Sequence, residues 1–226
     1  MSVGNVEGLG HRLRAATKEL HAEVERAGIM PALLRGELDR PRYCALLRNL
    51  HAVYAAMERA LTRHATHAEV APVFFPALFR QATLADDLTA LHGPGWAERF
   101  SLKPATHAYI ARLQDLEGTQ PALLVAHAYV RYLGDLSGGQ MLRQIVARSY
   151  GLTTDVGSRF YGFGDSAAAV QVQLQAFRAG LGALAASQER IDALVVEARS
   201  AFARHVDLFD ELALAPDQPL PTKLRI

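Results

Sequence analysis

The stretch Tyr129-Val130-Arg131-Tyr132-Leu133-Gly134-Asp135-Leu136-Ser137-Gly138-Gly139-Gln140 decides the fold of this chain. It places three glycines inside a segment that otherwise has the pattern of one long helix. That segment spans residues 120–150, with Pro121 near its first turn and Gly151 after its end. Each interior glycine opposes helix formation by about 1 kcal/mol relative to alanine. We therefore expect these glycines to serve something other than helix stability.

The glycines form a strip along one side of the predicted helix. Gly134 and Gly138 are four residues apart and share a face, and Gly139 lies beside them. A strip without side chains lets a bulky, flat group approach the backbone, and it also favours a bend. Close packing against a second helix is the alternative interpretation. The acidic Asp135 inside the strip, and the Tyr/Arg run before it, favour a binding site.

The composition is that of an ordinary globular protein. The chain has 226 residues, of which 50% are hydrophobic and 21% charged, and this length suits one domain, or at most two, with a sizeable core. Its formal net charge of +1 gives no reason to expect nucleic acid or an anionic membrane as a partner. The single cysteine, Cys44, cannot form an internal disulfide, and a reducing compartment is the default.

Neither end of the chain has the pattern of a membrane or export signal. No run of about 18 apolar residues is present, and residues 1–10 lack the basic start and apolar core of a signal peptide. We expect a cytoplasmic protein without a membrane anchor. Prolines punctuate residues 215–226, so we expect a folded domain over residues 1–214 and a disordered tail after it.

Apolar residues repeat at helical spacing along most of the chain. The most regular stripe follows Asp39 and consists of Tyr43, Leu46, Leu47, Leu50, Val53, Tyr54, Met57 and Leu61. Similar stripes predict helices over about 9–27, 78–92, 104–118, 120–150, 166–184 and 188–209. Asp165 or Ser166, and Ser187, are the expected N-caps of the last two. Alternating strand patterns are missing, so we predict an all-α fold, a single compact multi-helix domain.

One histidine of the nine stands out. Glu25 follows His21 by one helical turn, a spacing that lets a carboxylate accept the second ring N–H of a metal-binding imidazole and fix its orientation. The ordinary interpretation is a solvated His/Glu pair worth a few tenths of a kcal/mol. From spacing alone the ordinary interpretation is favoured.

Several other classes of site lack their motifs. A ferritin-like di-iron centre needs Glu-x-x-His pairs, covalent haem needs Cys-x-x-Cys-His, and a P-loop needs its glycine-rich signature. Residues 162–167 fit a loose dinucleotide pattern, but no predicted strand accompanies them, so we predict a turn.

Two stretches together resemble the haem oxygenase family. They are Ala16-Thr17-Lys18-Glu19-Leu20-His21 and Ala126-His127-Ala128 continuing through the opening stretch to Gln140, the second being nearly the family signature. Further similarity lies around residues 72–76, 160–161 and 202–212, so the resemblance covers about residues 9–213. It is closest in form to a soluble, bacterial-type member, because the membrane-anchoring tail of the animal enzymes is missing.

The resemblance implies an all-α fold in which haem lies between a proximal helix and a kinked distal helix. His21 matches the axial ligand of the haem iron, and Glu25 matches its hydrogen-bond partner. Gly134 and Gly138 match the glycines that lie on the distal face of the porphyrin, with Gly139 beside them.

The resemblance also assigns polar and aromatic positions around the porphyrin. Asp135 matches the acid that organises distal water, and Tyr54 and Arg131 match residues of the same network. Implied haem contacts come from Lys18, from the propionate-binding positions Arg14, Tyr129 and Arg178, and from the pocket aromatics Phe202 and Phe209. Two positions depart from the family: Leu174 replaces a basic propionate contact, and His205 replaces an asparagine-like polar residue.

The implied activity is O₂- and electron-dependent opening of haem b, both substrate and cofactor, to biliverdin, CO and Fe²⁺, with the α isomer as the family's usual product. Glycines let the distal backbone approach closely, and we expect Asp135 to hold a water that delivers protons. Because the sequence has no flavin or iron–sulfur motif, the external reductant is expected to be a ferredoxin or a flavoprotein reductase. A monomer is expected.

Two other functions remain open at this point. One is a haem carrier or sensor without turnover, which would not need Gly134, Asp135 and Gly138. The other is a thiaminase-like hydrolase of related fold. His21 argues against the hydrolase, and so does the position of Cys44 on an apolar-rich helix.

Overall fold

The computed structural model describes residues 8–153, 155–164 and 166–214. The α-helices in this part of the chain are α1 Leu9–Arg26, α2 Met30–Arg35, α3 Arg40–Arg63, α4 Gln81–His92, α5 Trp96–Arg99, α6 Pro104–Thr119, α7 Leu124–Ala128, α8 Gly134–Tyr150, α9 Ala167–Gly182 and α10 Gln188–Leu214. No described residue belongs to a β-strand, so the predicted all-α fold is confirmed. The predicted tail, residues 215–226, lies outside the described residues, and the domain boundary at residue 214 stays a prediction.

Helix α3 lies at the centre of the core and packs against α4, α6, α7 and α10. Its N-cap is Asp39, whose carboxylate accepts a hydrogen bond from the Arg42 backbone N–H at 2.9 Å and so satisfies a first-turn donor. Every residue of the apolar stripe predicted for this helix is buried. Full burial of a large apolar side chain contributes about 1.5–3 kcal/mol, so this stripe is a major source of stability. It also places Tyr54 deep inside the domain.

Helices α1 and α10 pack side by side, and Gly28 permits the turn between α1 and α2. Gly28 has φ +44°, a conformation that side chains rarely adopt, and a Cβ there would overlap the backbone of Phe209 in α10. The Ile29 N–H donates to the Phe209 carbonyl at 3.3 Å. This close approach fixes α1 against α10, and α1 carries His21.

The long helix predicted over residues 120–150 is divided in the structure. A 3₁₀ turn, Pro121–Leu123, leads into α7, a π-helical turn spans Tyr129–Leu133, and α8 follows. The sequence located the irregularity at the glycines, whereas the structure has it in the five residues before them. A π turn holds one extra residue and shifts the faces of the helix that follows. Sequence periodicity does not reveal such an insertion.

Two short helices, α2 and α5, were not predicted. They have six and four residues, too few for an apolar stripe to be recognised. The structure does contain hydrogen bonds at the predicted N-caps. The Ser166 side chain accepts a hydrogen bond from the Ala169 N–H, and the Ser187 side chain accepts one from the Arg190 N–H, each at 3.2 Å. None of the helices in the described part of the chain has the length and apolarity that crossing a membrane requires.

Candidate haem site

A cavity of about 700 Å³ opens between α1 and the segment 129–137. Its size falls within the range of small-molecule and cofactor pockets, about 300–1,000 Å³. Its lining comprises Gly10, His11, Arg14, Thr17, Lys18, His21, Ala22, Glu25, Tyr129, Val130, Leu133, Gly134, Ser137, Arg178, Leu181 and Phe202. Most of the α1 members recur every three or four residues, so one face of that helix forms one wall.

His21 and Glu25 stand on the cavity face of α1. The His21 Nδ1 lies 3.3 Å from Glu25 Oε1, and both side chains are about half exposed. An Nδ1–H directed at the carboxylate leaves Nε2 with the lone pair that a metal needs. The imidazole also lies near Phe202, with 6.2 Å between ring centroids. The structure therefore brings His21 and Glu25 together on the cavity wall, as both the spacing and the resemblance predict, and the role of His21 as an iron ligand stays a prediction.

The three glycines do not share one environment. Gly134 lines the cavity, and a Cβ built on Gly134 or on Gly138 would meet no other group within 4 Å. A Cβ on Gly139 would instead lie 3.3 Å from the carbonyl oxygen of Tyr161. Gly134 and Gly138 thus leave space open, while Gly139, predicted as a haem contact, packs closely against the protein. The close packing at Gly139 is against the 3₁₀ turn Arg159–Tyr161, not against the second helix of the alternative interpretation.

Asp135, Arg131 and Tyr54 form a largely buried triad behind the glycine surface. Arg131 donates from Nη2 to Asp135 Oδ1 and from Nε to the Tyr54 hydroxyl, each at 2.9 Å. The Tyr54 hydroxyl donates to Asp135 Oδ2 in a short hydrogen bond. Burial raises the pKa of Asp135, while Arg131 and Tyr54 oppose that shift. The triad therefore holds the Asp135 carboxyl group in one orientation through hydrogen bonds to both of its oxygens.

Three exposed cationic side chains contribute to the cavity lining. Arg14, Lys18 and Arg178 all line it. Burial raises the pKa of Tyr129, and the charges of Arg14 and Arg178 lower it, so both guanidinium groups act on this phenol. The Tyr129 hydroxyl lies 3.5 Å from the Thr17 hydroxyl. Such a group of donors suits carboxylates on a ligand.

Of the two predicted pocket aromatics, only Phe202 lines the cavity, and the two positions that depart from the family, Leu174 and His205, are both buried. Phe202 lines the cavity, whereas Phe209 is buried beside His205, with 6.0 Å between ring centroids. Leu174 is buried. His205 is also buried, and its Nδ1 donates to the Ala201 carbonyl at 2.7 Å, within its own helix.

A buried chain of polar side chains, which no sequence pattern indicates, links α6, α7 and α10. The Tyr109 hydroxyl donates to His127 Nδ1 at 3.0 Å, and His127 Nε2 donates to Glu197 Oε1 at 2.9 Å. Burial lowers the pKa of His127, so the ring is neutral near pH 7. The three residues are far apart in sequence, and only the packing of α6, α7 and α10 joins them.

Cys44 is unsuited to nucleophilic catalysis. Its side chain is buried on α3, and burial raises the pKa of the thiol to about 11. A thiol with that pKa has little thiolate near neutral pH. This observation agrees with the argument against a thiaminase-like hydrolase.

The residues present around the cavity fit haem. A porphyrin is flat, its iron binds a neutral imidazole, and its propionates bind cations. The open space over Gly134, the orientation of His21 by Glu25, and the group formed by Arg14, Lys18 and Arg178 meet these three requirements.

Comparisons with known proteins give the same result. The sequence model of the family described as Heme oxygenase matches residues 7–211. The Nostoc protein named Heme oxygenase 1 is 37% identical over 204 residues, covering 90% of this chain and 85% of that protein. The human Heme oxygenase 1 is 36% identical over 208 residues, covering 91% and 72%.

Solved structures agree in fold. The crystal structure of heme oxygenase-1 from Synechocystis in complex with heme has a TM-score of 0.85 and 35% identity, over 91% of this chain and 92% of that one. The heme oxygenase of Leptospira interrogans also has a TM-score of 0.85, with 31% identity over 91% and 100%. Since the sequence match and the shared fold both extend over nearly the whole domain, this chain belongs to the haem oxygenase family of enzymes.

Proposed function

We propose that this protein opens haem b to biliverdin, CO and Fe²⁺ with O₂ and electrons from an external donor. The family performs ring opening of haem to biliverdin, CO and iron. The observation that carries the proposal for this chain is one cavity with the His21–Glu25 pair on α1 and with Gly134, backed by the Asp135 triad, on the other wall. Bound haem would supply both the iron that activates O₂ and the ring that is cleaved.

His21 would hold the haem iron through Nε2. Glu25 accepts from Nδ1–H and so sets the tautomer and orientation of the ring. A neutral imidazole leaves the iron able to bind O₂, whereas a thiolate would favour O–O cleavage. Arg14, Lys18, Tyr129 and Arg178 would hold the propionates.

Asp135 would act on protons without standing in the cavity. Both of its oxygens accept hydrogen bonds from Arg131 and Tyr54, so the carboxylate does not line the open space itself. Burial raises its pKa, which makes Asp135 readier to take up a proton than an exposed aspartate. We infer that Asp135 orders water above Gly134 and returns protons to it. Gly138 extends the same surface and keeps it free of side chains.

The proposal has four further parts. The ring opens at the α position, and the electrons come from a ferredoxin or a flavoprotein reductase. The protein is a monomer and is located in the cytoplasm. The cationic cluster supports a single haem orientation, because paired charge-assisted hydrogen bonds are directional. Leu174 offers no charge to the propionates, so orientation would rest on Arg14, Lys18 and Arg178.

An optical titration tests the proposal. One equivalent of haemin is added to wild type, to His21→Ala and to His107→Ala, in which an exposed histidine of α6 outside the cavity is the control. We expect a sharp Soret band in wild type and His107→Ala, and its loss in His21→Ala. Reductant and air should then replace the band with the broad red absorbance of biliverdin. A Soret band that survives reductant and air would make the protein a haem carrier or sensor instead.

A further inference from the structure

Asp87 is a buried acid on α4 that the proposed chemistry does not use. Its side chain is fully buried, and its two oxygens accept hydrogen bonds from the backbone N–H groups of Arg159 and Phe160, at 2.9 Å and 2.7 Å. A carboxylate that accepts several backbone N–H groups holds them strongly, because these hydrogen bonds are charge-assisted. Asp87 thus anchors residues 157–163, here called the bracing segment, to α4.

The bracing segment supports the residues behind the glycine surface at two points. The Phe160 ring meets the Tyr54 ring edge-on, with 5.7 Å between centroids. The Tyr161 backbone lies against Gly139 of α8 so closely that a Cβ there would sit 3.3 Å from its carbonyl oxygen. Tyr54 and α8 are therefore both positioned by consecutive residues of one anchored segment.

A third contact brings a positive charge near the triad. The Gly162 carbonyl accepts from Arg80 Nη1 at 2.6 Å, and the Leu78 and Ala77 carbonyls accept from Arg80 Nε and Nη2 at 3.0 Å and 2.9 Å. Arg80 is buried, and its charge lowers the pKa of Asp135. Displacement of the bracing segment would remove one of the three carbonyls that hold this guanidinium.

We propose that Asp87 is a positioning residue of the haem site: by anchoring the bracing segment, it fixes α8 and the Tyr54 ring relative to the cavity. The effect of Asp87 on haem turnover rests on the proposed function. Its effect on the position of α8 does not depend on that function. The Asp87 carboxylate bonds to the backbone of Arg159 and Phe160, and neither residue lines the cavity, so the proposed effect passes through the bracing segment. A purely local role in loop folding would leave α8 and the haem reaction unaffected.

Asp87→Asn tests this proposal, with Asp86→Asn as the matched control. Asp86 is the exposed neighbour, and its carboxylate pairs with the Arg159 side chain at 3.4 Å, so it touches the same segment without anchoring its backbone. Asparagine fills the volume of Asp87 but presents an N–H₂ group to donors, leaving at least one backbone N–H unpaired.

The first readout is amide hydrogen exchange in the haem-free protein. In Asp87→Asn we expect exchange in the bracing segment and in the Gly139 region of α8 to rise about tenfold, with α6 unchanged. Asp86→Asn should match wild type throughout. An unchanged exchange rate in α8 of Asp87→Asn would overturn the proposal. A uniform rise in exchange rate along the whole chain would overturn it too, because a uniform rise reports only lower global stability.

The second readout separates binding from turnover. In Asp87→Asn we expect haemin affinity to stay within about twofold of wild type, because the His21 wall is untouched, and single-turnover ring opening to slow by about tenfold or to change its isomer ratio. Normal turnover and isomer ratio beside altered exchange would overturn the catalytic part. If wild type itself fails to open haem, the proposed function fails, and hydrogen exchange alone still decides the link from Asp87 to α8.

A second pair of variants keeps the test valid if Asp87→Asn does not fold. Gly139→Ala and Gly138→Ala gain the same helix propensity, but only the Gly139 Cβ would press on Tyr161. We expect faster exchange of the Arg159 and Phe160 amides in Gly139→Ala and no increase in Gly138→Ala. Equal exchange in the two variants would show that the segment and α8 are not coupled.

Discussion

Glu197 makes a buried ion pair whose stability contribution should disappear in acid. Its carboxylate accepts from Arg112 Nη2 at 2.6 Å, from Arg112 Nε at 3.2 Å and from His127 Nε2 at 2.9 Å, and its side chain is 5% exposed. Burial alone would raise the pKa of Glu197, but the hydrogen bonds from His127 and Arg112 lower it from 4.5 to about 2. The folded protein therefore holds this carboxylate in its ionised form more firmly than the unfolded chain does.

The magnitude follows from the pKa difference. A group whose folded pKa is depressed contributes stability above its unfolded pKa and loses it as the pH falls toward the folded value. A shift from 4.5 to about 2 corresponds to about 3 kcal/mol at pH 7 and about 1 kcal/mol at pH 3. Glu197→Gln, which removes the charge at nearly constant shape, should lower the free energy of unfolding by these amounts.

Guanidinium unfolding of the haem-free protein at pH 7 and pH 3, followed by circular dichroism, measures the effect. Asp115→Asn is the control, because Asp115 pairs with the same Arg112 at 2.6 Å but is 52% exposed. An exposed pair contributes less than about 1 kcal/mol, so this variant should change little. The reasoning is refuted if both variants cost the same at pH 7, or if the cost of Glu197→Gln is as large at pH 3.

Three further outcomes are expected. Gly134→Leu should weaken haemin binding more than tenfold by an optical titration, yet leave thermal stability near wild type, because its Cβ enters open space. Gly28→Ala should cost more than about 2 kcal/mol in guanidinium unfolding, because of its positive φ and the Phe209 backbone beside it; a smaller cost would contradict that contact. Asp135→Asn should retain the Soret band and lose biliverdin formation, and normal ring opening would exclude Asp135 from the proton path.

The helices follow from the sequence wherever a stripe is long enough to bury. The α3 pattern is visible because its apolar side chains recur every three or four residues, and the structure buries every one of them. The short α2 has no such stripe, and the π turn at residues 129–133 changes the period within one element. Local periodicity therefore predicts where long helices lie and misses short or irregular turns.

The contacts of the candidate site also fall into those that spacing in the sequence predicts and those that it does not. His21 with Glu25, and Arg131 with Asp135, are pairs at i and i+4, and each lies together in the structure, at 3.3 Å and 2.9 Å. Tyr54 bonds to Asp135 although the two residues are 81 positions apart in the sequence. Spacing could not predict this contact, and Tyr54 was assigned to the site only through the resemblance to the family. The chain through Tyr109, His127 and Glu197 carries no local pattern at all.

By itself, the sequence determined the all-α fold, the helix faces and the residues one helical turn apart, because these depend on a repeat of three to four residues along one element. Only the tertiary structure decided which helix face packs against which other helix or turn. It separated Gly134 and Gly138, which leave space open, from Gly139, which packs on Tyr161, and it placed Asp87 behind Tyr54. Such contacts depend on how close two backbones approach after packing, and no spacing along one helix records that distance.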